Sequence, residues 1–226
     1  MRPEPRHVRR LEDLLASTEY DLHFEPVPEH IEHAAMPPLG AIYRRLTREA
    51  HVPPPQASYA EAVADAAANM GLDRSAAYAR AARAYPSFIR EDHLRFCLCA
   101  YSTLHEIVAI SELDVHYGAD LLVLHDQRVL AVQSTLATDN SITWHTTRGL
   151  QRLKAVEYVL LELDAQTALH VGAYWLHPLQ HVEIVIDAMR SVIMGPWMSK
   201  RLPVLLAPPT EQYDFADLPT LSTAVV

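Results

Sequence analysis

The stretch Gly118–Thr135 constrains the fold of this chain most strongly. It contains two apolar runs, rich in Leu and Val, on either side of the polar pair Asp126-Gln127. Short runs of this kind separated by two turn-forming residues predict a β-hairpin, with strands at 119–125 and 128–135. Because the runs are nearly continuous rather than alternating, both faces of the strands are expected to be covered. The sequence therefore predicts a buried sheet organised around this hairpin.

Two polar residues stand out in the hairpin. Asp120 opens the first strand and Gln133 lies near the end of the second. In an antiparallel pair these two positions are neighbours at one edge, so both side chains are expected to meet there. Carboxylate and amide oxygens are ligands that hard divalent cations prefer. The alternative is structural: Asp120 hydrogen-bonds a turn, and Gln133 is a buried amide satisfied by the backbone.

The remainder of the C-terminal part predicts alternating helices and strands. The predicted helices cover 86–102, 143–158 and 178–194, and the predicted strands cover 104–113, 159–163 and 170–176. The last helix places Leu179, Val182, Ile186 and Met189 at helical spacing, which predicts its buried face. We therefore expect an α/β fold with a mixed central sheet flanked by helices, preceded by an α-helical N-terminal region.

Four segments are expected from this pattern. Residues 1–56 form an arm with short helices at 8–18 and 41–50, and three consecutive prolines make 51–56 a stiff linker. Residues 57–85 form a helical hairpin, 86–195 form the α/β domain, and 196–226 form a proline-rich tail. In the hairpin, Ser58 and Glu61 suggest a capping box, Gly71 breaks the first helix, and Asp73 caps the second.

The helical hairpin resembles the helix-turn-helix of DNA-binding proteins. A glycine-containing turn joins its two alanine-rich helices, and Ala67 allows them to cross closely. The resemblance implies DNA contacts from the second helix, through Arg74, Tyr78, Arg80 and Arg83. The alternative is a hairpin that serves only packing, since alanine-rich helical pairs are common.

The overall composition restricts the function classes. The net charge is −9, and residues 86–226 hold 9 Lys and Arg against 16 Asp and Glu. This acidic balance argues against broad nonspecific binding to nucleic acid and leaves open a basic protein partner for the acidic surface. No apolar run reaches the ~18 residues of a membrane span, and the N-terminus lacks the apolar core of a secretory signal. Two cysteines with no disulfide pattern favour a reducing, cytoplasmic environment. The sequence leaves open a homodimer.

From residue 86 to about 177, the order of elements resembles the PD-(D/E)XK superfamily of restriction-endonuclease-like nucleases. In that family the second strand begins with a metal-binding Asp, which Asp120 matches. The third strand ends in Glu or Gln, any residue, then Lys; here that place is Gln133-Ser134-Thr135. An acid on the first helix often completes the site, and Glu91 is the match, with Asp92 next to it.

The resemblance implies a Mg²⁺ site, with Mn²⁺ as a substitute, held by Glu91, Asp120 and Gln133. It implies hydrolysis of DNA phosphodiesters, with Asp120, Gln133 and Lys154 as catalytic residues; Lys154 or Arg152 would replace the family lysine that Thr135 lacks. The alternative is a catalytically inactive nuclease fold that binds DNA or protein, for example in a phage or mobile element. Zinc at His170, His177 and His181 is a weaker hypothesis, because no cysteine pair or HExxH pattern accompanies them.

Overall fold

A computed structural model of the chain describes residues 5–18, 27–28, 31, 36–50, 52–101, 106–108, 119–125, 128–137 and 157–191. This part of the chain is mixed α/β, which confirms the predicted class. Its helices are α1 (Pro5–Ser17), α2 (Leu39–Ala50), α3 (Gln56–Asn69), α4 (Arg74–Tyr101) and α5 (Leu179–Ser191). Its strands are β1 (Glu106–Val108), β2 (Leu121–His125), β3 (Arg128–Leu136), β4 (Glu157–Leu163), β5 (Leu169–Val171) and β6 (Tyr174–Leu176).

The chain divides into two compact units. The helical unit includes residues 26–82, and the sheet unit includes residues 2–25 and 83–209. The division falls inside α4, so this helix contributes residues to both. No helix in the described ranges is long and apolar enough to cross a membrane.

The main sheet has four strands in the order β1-β2-β3-β4. β1 and β2 are antiparallel, β2 and β3 are antiparallel, and β3 and β4 are parallel. His125 pairs with Arg128, so only two residues separate the strands of the central hairpin. The predicted hairpin is therefore confirmed, and it forms the middle of a mixed sheet.

The apolar runs of the hairpin are buried on both faces, as predicted. Consecutive residues on β2 and β3 point to opposite sides of the sheet, yet Leu121, Leu122 and Val123 are all buried, as are Val129 to Val132. Helix α5 packs against β3 and β4. The central strands thus lie in the core of the sheet unit, which holds the residues at their ends in fixed positions.

Helix α5 lies where the sequence predicts it. Of the four apolar residues at helical spacing, Val182 and Met189 are buried, whereas Leu179 is 52% exposed and Ile186 is half-buried. Val185, which that spacing does not include, is buried, so the buried side of the helix is shifted toward this residue.

The predicted strand 170–176 is instead a short antiparallel ribbon of β5 and β6. The chain turns at Gly172, whose φ is +56°, a conformation that L side chains rarely adopt. The missing side chain also admits a close neighbour, because a Cβ at this position would lie 3.1 Å from the Leu15 carbonyl oxygen of α1. The turn therefore packs closely against the end of α1. The apolar run 170–176 was wrongly predicted as a single strand, because its one glycine is the site of a turn.

The prediction that Pro86 begins a helix was wrong. Pro86 lies inside α4, which runs without interruption from Arg74 to Tyr101. A proline has no N–H, so it cannot donate to the carbonyl four residues earlier, here that of Ala82. The Gln56 side chain fills the gap, since its Nε2 donates to the Ala82 oxygen at 3.1 Å. A long-range hydrogen bond thus replaces the lost helical one, and nothing near Pro86 in the sequence predicts it.

The turn between α3 and α4 agrees with the prediction, and the start of α3 does not. Gly71 has a φ of +79°, and the Asp73 carboxylate accepts a hydrogen bond from the Ala76 N–H at 2.7 Å, which caps α4. Helix α3 begins at Gln56 with Pro55 before it and no side-chain cap. Ser58 therefore lies inside the first turn, and the predicted capping box was wrong.

Several predictions fall outside the described residues. These are most of the N-terminal arm between 19 and 35, the turn residues Asp126-Gln127, most of the predicted helix 143–158 with Arg152 and Lys154, and the tail 196–226. At the end of that predicted helix, Glu157 and Tyr158 belong to β4, so the strand begins two residues earlier than predicted.

Candidate functional site

Asp120 and Gln133 meet at the end of the central hairpin. Asp120 directly precedes β2, and its N–H donates to the Val132 carbonyl at 3.0 Å, which brings the acid opposite Gln133. Gln133 Nε2 donates to both Asp120 carboxylate oxygens at 2.9 Å. Both side chains are buried, with 7% and 3% exposure. The sequence correctly predicted the meeting of these two residues.

Asp120 also takes the place of a backbone acceptor for β3. The pairing of β2 with β3 ends at Leu121 and Val132, so β2 offers no carbonyl to Ser134. The Ser134 N–H donates instead to Asp120 Oδ2 at 2.6 Å. The carboxylate therefore accepts hydrogen bonds from two donors of β3, one from a side chain and one from the backbone. Hydrogen bonds to a charged acceptor are about twice as strong as neutral ones, so this carboxylate fixes the end of the hairpin.

Ser134 connects the same end to two histidines at the start of α5. Its Oγ is hydrogen-bonded to His177 Nε2 at 2.7 Å. His177 Nδ1 is in turn hydrogen-bonded to His181 Nδ1 at 2.8 Å. Asp120, Gln133, Ser134, His177 and His181 thus form one connected set of polar groups, which we call the buried cluster.

Burial determines the charge state of the two histidines. His177 is 1% exposed, and loss of hydration, together with the nearby His181, Arg90 and His93, lowers its pKa well below 6.5. Burial also lowers the pKa of His181. At neutral pH His177 is therefore uncharged. Both of its ring nitrogens are hydrogen-bonded, but only one of them carries a hydrogen. It donates through one nitrogen and accepts through the other, so Ser134 and His181 together determine its tautomer.

The Asp120–Gln133 pair fits part of what a Mg²⁺ site requires. Asp120 Oδ1 accepts a hydrogen bond from Gln133, and Oδ2 accepts two, from Gln133 and from Ser134, so a cation at Oδ2 would have to displace one of these donors. Gln133 Oε1 is buried and has no hydrogen-bond partner within the described part of the chain. Rotation of the amide by 180° would turn this oxygen toward Asp120, which is repulsive unless a cation lies between them. Mg²⁺ commonly takes one or two carboxylates and completes its shell with water and substrate phosphate.

The rest of the predicted metal set is less complete. Glu91 is a half-buried residue in the interior of α4, and Asp92 is buried and accepts a hydrogen bond from Arg95 at 3.0 Å. Within the described ranges, no three His, Cys, Asp or Glu side chains form a group that could hold a metal ion. This finding gives no support to the zinc hypothesis at His170, His177 and His181. Lys154 lies outside the described residues, and Thr135, at the place of the family lysine, is buried.

The predicted DNA-binding residues lie on the helical unit or at its boundary. Arg74 donates to Glu61 and to Asp65, and its distance to Asp65 is 3.0 Å. The Arg80 guanidinium donates to the Ile31 carbonyl oxygen. Arg83 is exposed and Tyr78 is half-exposed. At 100° per residue, Arg80 and Arg83 share a side of α4 that Arg74 does not share, so these residues do not form a single stripe.

The sequence did not identify the role of Ser134 and His177. The sequence suggests only a zinc-ligand role for the two histidines, and it presents Ser134 only as the variable residue of the Gln133-Ser134-Thr135 motif. One signal was present: a serine in an apolar strand places a hydroxyl where a partner is needed. The partner is 43 residues later, and no local pattern connects the two. Comparison of the chain with protein-family models, curated proteins and solved structures found no match.

Proposed function

We propose that the sheet unit is a restriction-endonuclease-like domain that acts on DNA, with Asp120 and Gln133 as its cation-binding pair. The observation that carries the proposal is the contact of Gln133 Nε2 with both oxygens of Asp120 across two neighbouring strands. The order of the described elements also supports it. A helix is followed by three strands, the acid lies at the start of the second, and the glutamine lies on the third.

The chemistry of this proposal is phosphodiester hydrolysis. Mg²⁺ or Mn²⁺, if held by Asp120 and Gln133, would supply polarisation of the scissile phosphate and activation of a water molecule. Asp120 supplies the negative charge that holds the cation, and Gln133 supplies a neutral oxygen. Glu91 is the proposed third ligand, and Lys154 is the proposed cation beside the phosphate. Arg74, Tyr78, Arg80 and Arg83 remain the proposed contacts to DNA, from more than one side of α4, and Arg74 and Arg80 would have to exchange their present partners for phosphates.

The experiment is a cleavage assay with labelled single- and double-stranded DNA in Mg²⁺ or Mn²⁺. We expect cleavage by the wild-type protein and loss of at least 100-fold in Asp120→Asn, which keeps the shape of the side chain and removes its charge. Asp187→Asn is the matched control, because Asp187 is an exposed acid paired with Arg190. Equal activity of the wild-type protein and Asp120→Asn would refute the proposed site.

A second candidate is the inactive form of the same fold, which binds DNA or a protein partner without hydrolysis. Two observations favour it: donors from β3 already occupy both oxygens of Asp120, and a buried Thr135 stands where the family has lysine. It predicts DNA binding that weakens steeply with salt, and no cleavage under any metal condition. A wild-type protein that neither cleaves nor binds DNA would refute both candidates, and binding to a basic protein partner would then be the remaining hypothesis.

A further inference from the structure

Two buried polar atoms near Asp120 lack a hydrogen-bond partner in the part of the chain that the structure describes. They are Gln133 Oε1 and the hydroxyl oxygen of Tyr158. A buried polar group without a partner costs free energy, and such groups are rare in folded proteins. Two of them close to one buried carboxylate are therefore unlike ordinary core packing, and they indicate a place where an additional molecule is bound.

The strand register places both groups on one face of the sheet. Leu122 pairs with Ala131, and Ala131 pairs with Tyr158, so these three residues share a face. Alternation along each strand adds Gln133, two residues after Ala131, and Asp120, two residues before Leu122. Ser134 points to the opposite face, toward His177. Asp120 and Gln133 thus lie side by side, and Tyr158 lies on the same face of the third strand, two residues before Leu160, the partner of Gln133. All three are on the face opposite to the histidines.

The Tyr158 hydroxyl remains a hydrogen-bond donor at all physiological pH values. Burial, with a smaller contribution from the Asp120 charge, raises the pKa of Tyr158 to about 12. The hydroxyl group therefore lies within electrostatic reach of the carboxylate and keeps its proton. The Asp120 oxygens already accept from Gln133 and Ser134, so the buried phenol needs an acceptor that the described residues do not supply.

We propose that Tyr158 is a binding residue of this site and donates its phenolic hydrogen to a phosphate oxygen of the bound nucleic acid. The inference rests on the proposed function and names a third protein group at the Asp120–Gln133 pair. A phosphate oxygen is a strong acceptor, and a neutral donor can bind it without the positive charge that Thr135 fails to provide. Tyr158 is thereby a substrate contact that the resemblance to nucleases does not imply.

The experiment compares Tyr158→Phe with Tyr174→Phe. Both substitutions remove one buried hydroxyl of a tyrosine whose pKa is raised to about 12, but Tyr174 lies on β6 of the two-stranded ribbon and not in the main sheet. Binding is measured by fluorescence anisotropy of a labelled duplex oligonucleotide in Ca²⁺, and stability is measured by urea denaturation. Loss of one hydrogen bond to a charged oxygen should weaken binding about tenfold in Tyr158→Phe. The denaturation midpoint of Tyr158→Phe should be unchanged or higher, and Tyr174→Phe should bind DNA as the wild-type protein does.

The outcomes separate this inference from the proposed function. If Tyr158→Phe binds DNA as well as the wild-type protein, or if Tyr174→Phe weakens binding as much as Tyr158→Phe does, the inference is overturned. Asp120-dependent cleavage would still support the proposed function. A third result is that the wild-type protein binds no DNA, but inorganic phosphate raises its melting temperature and not that of Tyr158→Phe. The proposed action on DNA would then be refuted, and the contact between Tyr158 and phosphate would be supported. If neither ligand binds, both are overturned.

Discussion

The two units each contain a cluster of charged and polar side chains, and the two clusters differ in exposure. In the helical unit, Arg74 donates to Glu61 and Asp65, and all three side chains are at least half-exposed; we call this the exposed cluster. In the sheet unit, the members of the buried cluster lie at or close to the core. Water hydrates the first set in both the folded and the unfolded chain, so its contacts change stability little. The second set loses hydration on folding, so each of its contacts matters.

This difference indicates where function should be sought. A polar group that is buried must be satisfied, and a group that is buried and unsatisfied has a cost that folding alone does not explain. The buried cluster contains both kinds, whereas the exposed cluster is typical of a solvated helix surface. The comparison can be tested by removing one residue at a time from each cluster.

The largest effect is expected for Asp120→Ala. The substitution leaves the Gln133 amide and the Ser134 N–H buried without their acceptor, which should cost about 3 kcal/mol or more of unfolding free energy. Urea denaturation followed by circular dichroism measures this loss. Asp187→Ala, at an exposed ion pair, is the control and should change stability by less than about 0.5 kcal/mol. Similar losses in both variants would show that burial is not what distinguishes Asp120.

The next effect is a loss of stability in acid that depends on His177. Its pKa is lowered in the folded protein, so between pH 6.5 and that lower pKa the unfolded chain binds more protons than the folded one. Stability is therefore fully present above pH 6.5 and falls as the pH decreases, by up to about 1.4 kcal/mol per pH unit for this one group. Urea denaturation between pH 7.5 and pH 5 measures the slope.

His177→Gln should reduce that slope, and the exposed His170→Gln should preserve it. An unchanged slope in His177→Gln would mean that another group causes the acid sensitivity. His181 is the first residue to examine in that case, since burial lowers its pKa as well.

An intermediate effect is expected for Gln56→Leu in the helical unit. Loss of the Gln56 donor leaves the Ala82 carbonyl without the hydrogen bond that compensates for Pro86, at a cost of about 1–2 kcal/mol. In a Pro86→Ala background the backbone N–H returns, so Gln56→Leu should cost less there. A double-mutant cycle measures the difference. An interaction free energy of zero would show that Gln56 does not compensate for the hydrogen bond that Pro86 cannot make.

The smallest effect is expected for Arg74→Ala. Its guanidinium is exposed, and its contacts to Glu61 and Asp65 lie in water, so the denaturation midpoint should stay within experimental error. Glu49→Ala is a matched control at another exposed ion pair, with Arg45. A loss in Arg74→Ala comparable to that of Asp120→Ala would remove the distinction between the two clusters.

The sequence predicted the parts of the fold that depend on neighbouring residues. The central hairpin, the Gly71 turn and the Asp73 cap follow from runs of a few residues with clear chemistry. The sequence also predicted the meeting of Asp120 and Gln133, since a two-residue turn fixes the register between them. The contacts that the sequence did not predict join distant residues. Pro86 stays inside α4 because Gln56 supplies a donor from another helix, and Ser134 reaches a histidine that lies far along the chain.

Gly172 has a consequence for the synthesis of the chain. The end of α1 fits against the turn at this glycine, so this contact of α1 can form only after residue 172 has been made. At translation rates of 5–20 residues per second, roughly 8 to 30 seconds separate the two segments. During that time the apolar side of α1, with Val8, Leu11 and Leu15, has no ribbon to cover it. Helix α1 therefore lacks this one neighbour while the whole segment between residues 17 and 172 is being synthesised.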